Sequence, residues 1–397
     1  MASELFNELK ARLSLSGLNI DSWTYKCYSR ASVGIFWAAA VCSVASSLIG
    51  SPMECKDGID AYGKDYCWLH GAKHLTPNQI SKEIHNGDDC FAFDDNPENK
   101  ATNYYIWVSL VLFLSGAAFA LPNEVWKHME GGMIEQFGKD RENFLEESEK
   151  KAQIFRKVTN NESKRYFFTF VIFEWINYIV GILVFVVTDK FLSGKFSSYG
   201  LDTLAYLMGN GREEEIQRED ETVQEKVNPM CNLFPTVVNC DLSFYGVGIG
   251  HQEERSYLCL MKQNIMNQKI YLVLWIWLVF LLGLSLFMFL YRIAILVLPD
   301  FRRLALLRYM KTSQSSAINS LLLDFEHIGN WFLLIQIGKN TNPYKLRVFL
   351  KEAKNAEHNH RNADPKFTKF RPRSDDNVGS NNHANEQIQL LDVRELP

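Results

Sequence analysis

Four stretches of the chain are long and almost free of charge: residues 31–50, 104–121, 166–188 and 270–298. Each is close to or above the roughly 20 apolar residues that a helix needs to cross a hydrocarbon core. Polar segments separate them, a spacing that a buried soluble helix would not need to repeat four times. The pattern predicts an all-α membrane protein built on a four-transmembrane-helix bundle. A polar, amphipathic segment precedes the first run, which is itself longer than the apolar region of a cleaved signal peptide and therefore reads as a retained span. The predicted order is a cytoplasmic N-terminal helix (1–28), a first span (29–50), an outer loop (51–103), a second span (104–123) and a cytoplasmic loop (124–165). A third span (166–188), a second outer loop (189–269), a fourth span (270–298), a cytoplasmic helical region (299–356) and a flexible tail (357–397) follow.

Shorter patterns refine this order. Leu5, Leu9 and Leu13 recur at helical spacing beside Phe6, with Ser3 as N-cap and Gly17 as the break, so an amphipathic helix is expected near the amino terminus. Such a helix either lies on the membrane surface or enters a pore mouth. Pro122 either ends the second span or supplies a hinge within it, because proline lacks an N–H and clashes with the preceding turn. Glu174 is an ionisable group inside the third span, with Asn177 one turn further on. Such groups face the bundle interior and have partners, in a structural network or along a permeation path. Residues 140–165 mix both charge signs at helix-favouring positions. Together with the apolar Leu304, Leu307, Leu321, Leu323, Trp331 and Leu334 they predict a helical cytoplasmic dome.

Charge sets the orientation. The loop 51–103 holds ten acids and five bases, and the loop 189–269 twelve acids and eight bases; the segment 124–165 balances nine with nine, and the tail from 299 has fifteen bases against eleven acids. Arg302, Arg303, Arg308 and Lys311 follow the fourth span directly. The positive-inside rule therefore places both termini and the middle loop in the cytoplasm. Across all 397 residues, 42 Lys and Arg against 46 Asp and Glu leave a net charge of −4, without the basic excess of a nucleic-acid binder.

Six of the eight cysteines fall in the outer loops: Cys55, Cys67 and Cys90 in the first, and Cys231, Cys240 and Cys259 in the second. Three per loop on the oxidising side predicts a disulfide-stapled cap, whose connectivity spacing alone leaves open. Cys27 and Cys42, in or beside the first span, read as small packing residues. The sequon Asn161-Glu162-Ser163 lies on the cytoplasmic side and is expected to be unglycosylated. His70, His74 and His85 near Cys67 lack structural-zinc spacing, and the glycines at 246, 248 and 250 have no strand–helix context. No metal, cofactor or enzymatic activity is expected.

The segment Tyr104, Tyr105, Ile106, Trp107 and Val108, followed by LPNEVWKHMEGG at 121–132, resembles the signature of the innexins, the invertebrate gap-junction channel proteins. IGSPMEC before and including Cys55, YCW at 66–68, TDKFLSGKFSSYG at 188–200, NPMCNLFPTVVNC at 228–240 and IGNWFLLIQIGKN at 328–340 are similar to further family blocks in the same order. The chain departs from the family at Ile106, where Gln is usual, at Met261-Lys262, where proline is usual, and in the additional Cys90 and Cys231. The resemblance implies bridges Cys55–Cys259 and Cys67–Cys240, and by nesting Cys90–Cys231. It also implies an octameric ring, homomeric or mixed with related subunits, that docks onto a hemichannel of the adjacent cell. Spans one and two would line the pore and spans three and four would face lipid. The segment containing Ala2, Ser3, Leu5, Phe6, Leu9 and Leu13 would form the pore funnel. A four-span adhesion or scaffold protein without conduction, or an unpaired hemichannel, would use the same stapled loops.

Overall fold

The computed structural model describes residues 20–56, 59–71, 73, 103–134, 137, 144–158, 161–210, 213–218, 221–226, 228–245, 252–310 and 328–363. The predicted N-terminal funnel (Ala2, Ser3, Leu5, Phe6, Leu9 and Leu13), Cys90 and the tail from 364 lie outside the described residues.

The first span starts at Ser22, whose Oγ accepts the Tyr25 N–H at 3.3 Å and so caps α1 (Trp23–Lys26). A wider π-helical turn at Cys27–Ser32 follows, in which the Ser32 hydroxyl donates to the Cys27 carbonyl at 2.9 Å, and the chain continues as α2 (Val33–Ile49). After β1 (Met53–Cys55) and α3 (Ala61–His70), the second span is α4 (Tyr104–Glu130). Pro122 does not end it. The helix runs two further turns to Gly131, whose φ of 61° suits a residue without a Cβ, and the Glu130 carboxylate accepts the N–H groups of Gly132 and Ile134 at 2.9 and 2.7 Å.

Then come α5 (Phe144–Val158), the third span α6 (Asn161–Phe191), α7 (Phe196–Leu207), the hairpin β2 (Glu213–Arg218) and β3 (Glu221–Lys226), and α8 (Pro229–Leu233). The chain continues through β4 (Val237–Tyr245), β5 (Gln252–Met261) and the fourth span α9 (Lys262–Val297) to α10 (Pro299–Met310), α11 (Ile328–Asn340) and α12 (Pro343–Ala363). Helix α9 begins eight residues before its apolar run. Its first two turns carry Gln263, Asn264, Asn267 and Gln268, all buried, and three of them donate outside the helix. Asn264 Nδ2 reaches the Pro235 carbonyl at 2.8 Å, Gln268 Nε2 the Phe234 carbonyl at 2.9 Å and Gln263 Nε2 the Ser43 hydroxyl at 2.8 Å. Hydropathy cannot mark a helix whose polar side chains are satisfied by a neighbouring loop.

To the expected helical frame the structure adds sheets. Strands β1, β5 and β4 form an antiparallel sheet in that order, with Cys55 opposite Cys259 and Cys240 opposite Tyr257. At the other end of the bundle, α11 docks on α6 and is buried along Gly329 to Gly338, as expected for a helix apolar on all sides. Its Phe332 ring lies 4.9 Å from Phe170, and Trp331 Nε1 donates to the Arg302 carbonyl at 2.6 Å. Helices α12 and α5 pack beside it through Phe349 and Phe155, 5.6 Å apart and edge to face, completing the helical dome.

Backbone meets backbone where α11 crosses α6. A Cβ at Gly329 would lie 2.5 Å from the Lys164 nitrogen, while Ser163 Oγ donates to Asn330 Oδ1 at 2.7 Å. Gly329→Ala is therefore expected to lower stability by about 1–3 kcal/mol, the usual cost of overpacking. Thermal unfolding of the purified protein checks this. Gly283→Ala, with no atom within 4 Å of the added Cβ, should not lower the midpoint and should raise it slightly, since alanine favours a helix interior over glycine.

Candidate functional site

The cap at the disulfide-bearing end is assembled by register. Cys55 and Cys259 face each other across β1 and β5 and are bridged, joining positions 204 residues apart. Cys67, fully buried on α3, is bridged to Cys240 of β4. Asp60 starts α3 by accepting the Gly63 N–H at 2.8 Å. Around the two bridges Met53, Ile59, Val238, Leu242 and Met261 make a small core. Cys231 is also disulfide-bonded.

Ion pairs close the cap's margins. Lys262, at the start of α9, pairs with Glu54 of β1, and this hydrogen bond holds the exposed Glu54 carboxyl below the usual carboxylate range. Asp241 accepts from Ser256 Oγ at 2.6 Å, Lys73 Nζ at 2.9 Å and Asn239 Nδ2 at 3.1 Å. Its partial burial alone would raise its pKa, but these donors outweigh it and the carboxyl is held low.

The signature segment is the joint between cap and bundle. The Tyr105 hydroxyl donates to the Cys67 carbonyl at 3.5 Å and its ring lies 4.5 Å from Trp68; the Tyr104 hydroxyl donates to the Leu233 carbonyl at 3.1 Å. Val108 is fully buried, Ile106 packs on the cap core, and Trp107 is exposed. Below this joint, the Ser109 hydroxyl donates to that of Ser43, which also accepts from Gln263, so α2, α4 and α9 share one polar node. Sequence reading missed it because Gln263 lies outside the apolar run.

Nearer the dome, Glu174 of α6 forms a two-pronged ion pair with Arg292 of α9. Nε donates to Oε2 at 2.7 Å and Nη2 to Oε1 at 2.9 Å, with both side chains close to nine-tenths buried. Ser22 Oγ donates to the same carboxylate at 3.2 Å, and the guanidinium lies 5.3 Å from the Phe170 ring centre and 5.7 Å from that of Phe332. Asn177 does not join this network. Its Nδ2 donates to the Phe173 carbonyl at 3.1 Å, and its Oδ1 has no partner. An Arg near the end of one apolar run and a Glu within another was the available signal for the pair.

Between 22% and 39% of each span is buried within the protomer, so the outward faces tell the spans apart. Helix α6 turns Phe168, Ile172, Trp175, Ile179 and Leu183 outward, and α9 turns Val273, Ile276, Phe280 and Phe287. Helix α2 instead exposes Gly34, Ala38 and Cys42 beside Trp37 and Val41. Cys27 packs inside, as expected, whereas Cys42 lies on this uncovered face. Among the described residues no three His, Cys, Asp or Glu side chains form a metal-binding group.

Removing one partner of a buried pair strands the other, so Glu174→Leu or Arg292→Met alone is expected to cost about 3–5 kcal/mol, while the double variant recovers most of it. Thermal midpoints of the three variants measure the coupling. Lys339 of α11 is held at about 8, below its ordinary 10.5, by burial and by Arg292. The folded state thus disfavours its proton, and stability should rise with pH between these two values. Lys339→Met should be more stable than the parent below about pH 8, an advantage that fades by about pH 10.5, in unfolding curves taken as a pH series.

The innexin family model matches residues 21–355. Innexin inx2 of Drosophila melanogaster is 30% identical over 354 residues, covering 86% of this chain and 92% of that protein. Innexin inx2 of Schistocerca americana is 30% identical over 355 residues, covering 86% and 94%. Innexin shaking-B of Drosophila melanogaster is 26% identical over 371 residues, covering 89% and 94%. A match over most of the chain, four helices long enough to span a membrane and a disulfide-bonded cap converge: the chain belongs to the innexin family of oligomeric gap-junction membrane channels, which are not enzymes.

Proposed function

We propose that the chain is the subunit of a large-pore channel that passes ions and small solutes, as an unpaired hemichannel and, when docked to a hemichannel of an adjacent cell, as an intercellular channel. The contrast between the outward faces of α2 and of α6 and α9 carries this reading. A single four-helix bundle fills its own centre, so a conduit requires several copies around an axis, and closed cyclic symmetry is the usual solution. The small residues of α2 suit close approach and water, whereas the unbroken bulky faces of α6 and α9 suit lipid. Octameric stoichiometry and mixing with related subunits rest on the family. The charge balance supports cytoplasmic termini and an outward-facing disulfide cap.

The third bridge is proposed as Cys90–Cys231. This reading is supported by Cys231 being disulfide-bonded while, among the other described cysteines, four pair with each other and Cys27 and Cys42 are free. The amino-terminal segment is proposed as the cytoplasmic pore funnel and Pro122 as a hinge in α4, where the helix lacks one backbone hydrogen bond.

Recordings from paired expressing cells test the proposal. Junctional current with dye transfer is expected, whereas adhesion without either would point to a scaffold. In single cells, a charged, water-soluble thiol reagent should reduce hemichannel current by reaching Cys42 from the pore. Cys42→Ala should be insensitive, and equal sensitivity of parent and variant would remove α2 from the pore wall.

A further inference from the structure

The outward apolar face of α9 does not stop where that helix ends. Leu298 is extended and breaks the helix before Pro299 starts α10. Val297 and Leu298 before the break and Phe301 and Leu304 after it are nevertheless exposed, by 68%, 45%, 47% and 67%. The other side of α10 is held by the dome, through the buried Leu306 and through the Arg302 carbonyl, which accepts from Trp331 Nε1. The helix is therefore apolar on two sides, one packed on the dome and one exposed.

Basic residues border the exposed side. Arg303 is partly exposed and Arg308, one turn beyond Leu304, is exposed, against one acid in the helix, Asp300. The first turn of α6 adds the exposed Lys164 and Arg165 beside Glu162, just before its outward Phe168 and Ile172. Both groups meet the start of α11, where Gly329 lies against the Lys164 backbone and Trp331 bonds to Arg302. The two helices with bulky outward faces thus both turn basic at the same end.

This layering matches a lipid leaflet. In water Phe301 and Leu304 would stay wet, and a protein partner would have to offer apolar side chains and then carboxylates in the same order. A leaflet offers hydrocarbon and then phosphate along its depth. We propose that α10 lies in the cytoplasmic leaflet, with Phe301 and Leu304 among the acyl chains, and that Arg303, Arg308, Lys164 and Arg165 hold the head groups of anionic phospholipids. The site goes beyond the channel reading and takes from it that α6 and α9 face lipid and that this end is cytoplasmic.

The test uses the full-length protein in vesicles of phosphatidylcholine and phosphatidylserine, with the same acyl-chain diazirine placed on one lipid or the other. Peptide mapping after irradiation should show Phe301 and Leu304 labelled about fivefold more strongly by the serine lipid, as one basic contact allows. That ratio should fall as salt rises. Inorganic phosphate should lower it no more than chloride of equal ionic strength, and a larger drop would replace the lipid by a soluble anion. Arg303→Gln combined with Arg308→Gln should bring the ratio near one while the choline lipid still labels, and an unchanged ratio overturns the role of these arginines. The salt series on the parent protein does not depend on the variant folding. Equal labelling by the two lipids at low salt overturns the anionic selection. Label on Phe280 and Phe287 but not on Phe301 or Leu304 overturns the site and leaves the lipid-facing assignment intact, the face then being covered by protein. Absence of label from all four overturns both.

Discussion

The dome end of the bundle is organised around the Glu174–Arg292 pair. Two unlike charges within apolar helices are tolerable there only when each solvates the other, and the two-pronged geometry fixes the rotation of α6 against α9. The same carboxylate holds Ser22 at the start of the first span, and the same guanidinium lies against Phe170 and Phe332, so three spans and α11 converge on one pair. Placing α11 also places α12, α5 and α10, which pack around it or beside it. The pair therefore sets the register of the membrane helices and the docking of the dome together. Hydrophobic burial could not do this alone, because lipid tails are as apolar as the side chains they would be exchanged for.

At the other end the organising constraint is strand register. Pairing Met53 with Met261 puts Cys55 opposite Cys259 and brings the start of α9 under the sheet. A one-residue slip of β1 would turn Cys55 to the face opposite Cys259, so the bridge and the register enforce each other. Lys262 sits where the strand becomes the helix and pairs with Glu54, giving this junction an electrostatic tie where the family usually has proline. Tyr104 and Tyr105 then fasten the cap to α4. These contacts give the signature segment a physical meaning, since its two tyrosines hold loop carbonyls rather than contribute to span hydropathy.

How much of this was legible in the sequence depended on range. The four spans were readable because an apolar run long enough to cross a bilayer is rarely anything but a membrane helix when it recurs four times between polar segments, and Glu174 was recognisable as a group requiring partners. Its pairing was harder to read: Arg292 stood out near the end of the fourth apolar run, but nothing local to it indicates which helix it faces. The strands of the cap were missed for a related reason. Alternation is weak in a sheet whose inner face is made of cysteines and methionines, and disulfides supply the cohesion that a longer pattern would otherwise need. Propensity left Pro122 as either the end of the second span or a hinge within it; the helix continues past it because within a membrane bundle neighbouring groups can compensate for the lost hydrogen bond. The early start of α9 escaped because Gln263, Asn264 and Gln268 are polar residues used as internal donors, which hydropathy counts as loop.

Helices α4 and α9 each connect these two organised ends. Helix α4 begins under the cap at Tyr105 and reaches the dome core at Trp126, whose ring lies 5.3 Å from Phe170 and 5.9 Å from Phe173. Helix α9 begins with Lys262 at the cap and carries Arg292 and Ile295 into the dome core. At about 1.5 Å per residue α4 spans about 40 Å and α9 about 54 Å, and such helices are stiff along their axes, so a tilt imposed at the cap reaches the dome with little loss. Compliance must then lie where hydrogen bonding is already interrupted. The hinge proposed at Pro122, one turn from Trp126, would supply it in α4, and the π turn at Cys27–Ser32, next to Ser22 and the ion pair, would supply it in the first span. Both weak points lie at the dome end, on the spans that carry the small outward face and the signature joint, whereas α6 and α9 are locked together by charge. If the proposed hinge operates, the first two spans would bend against an α6–α9 pair that their ion pair holds together.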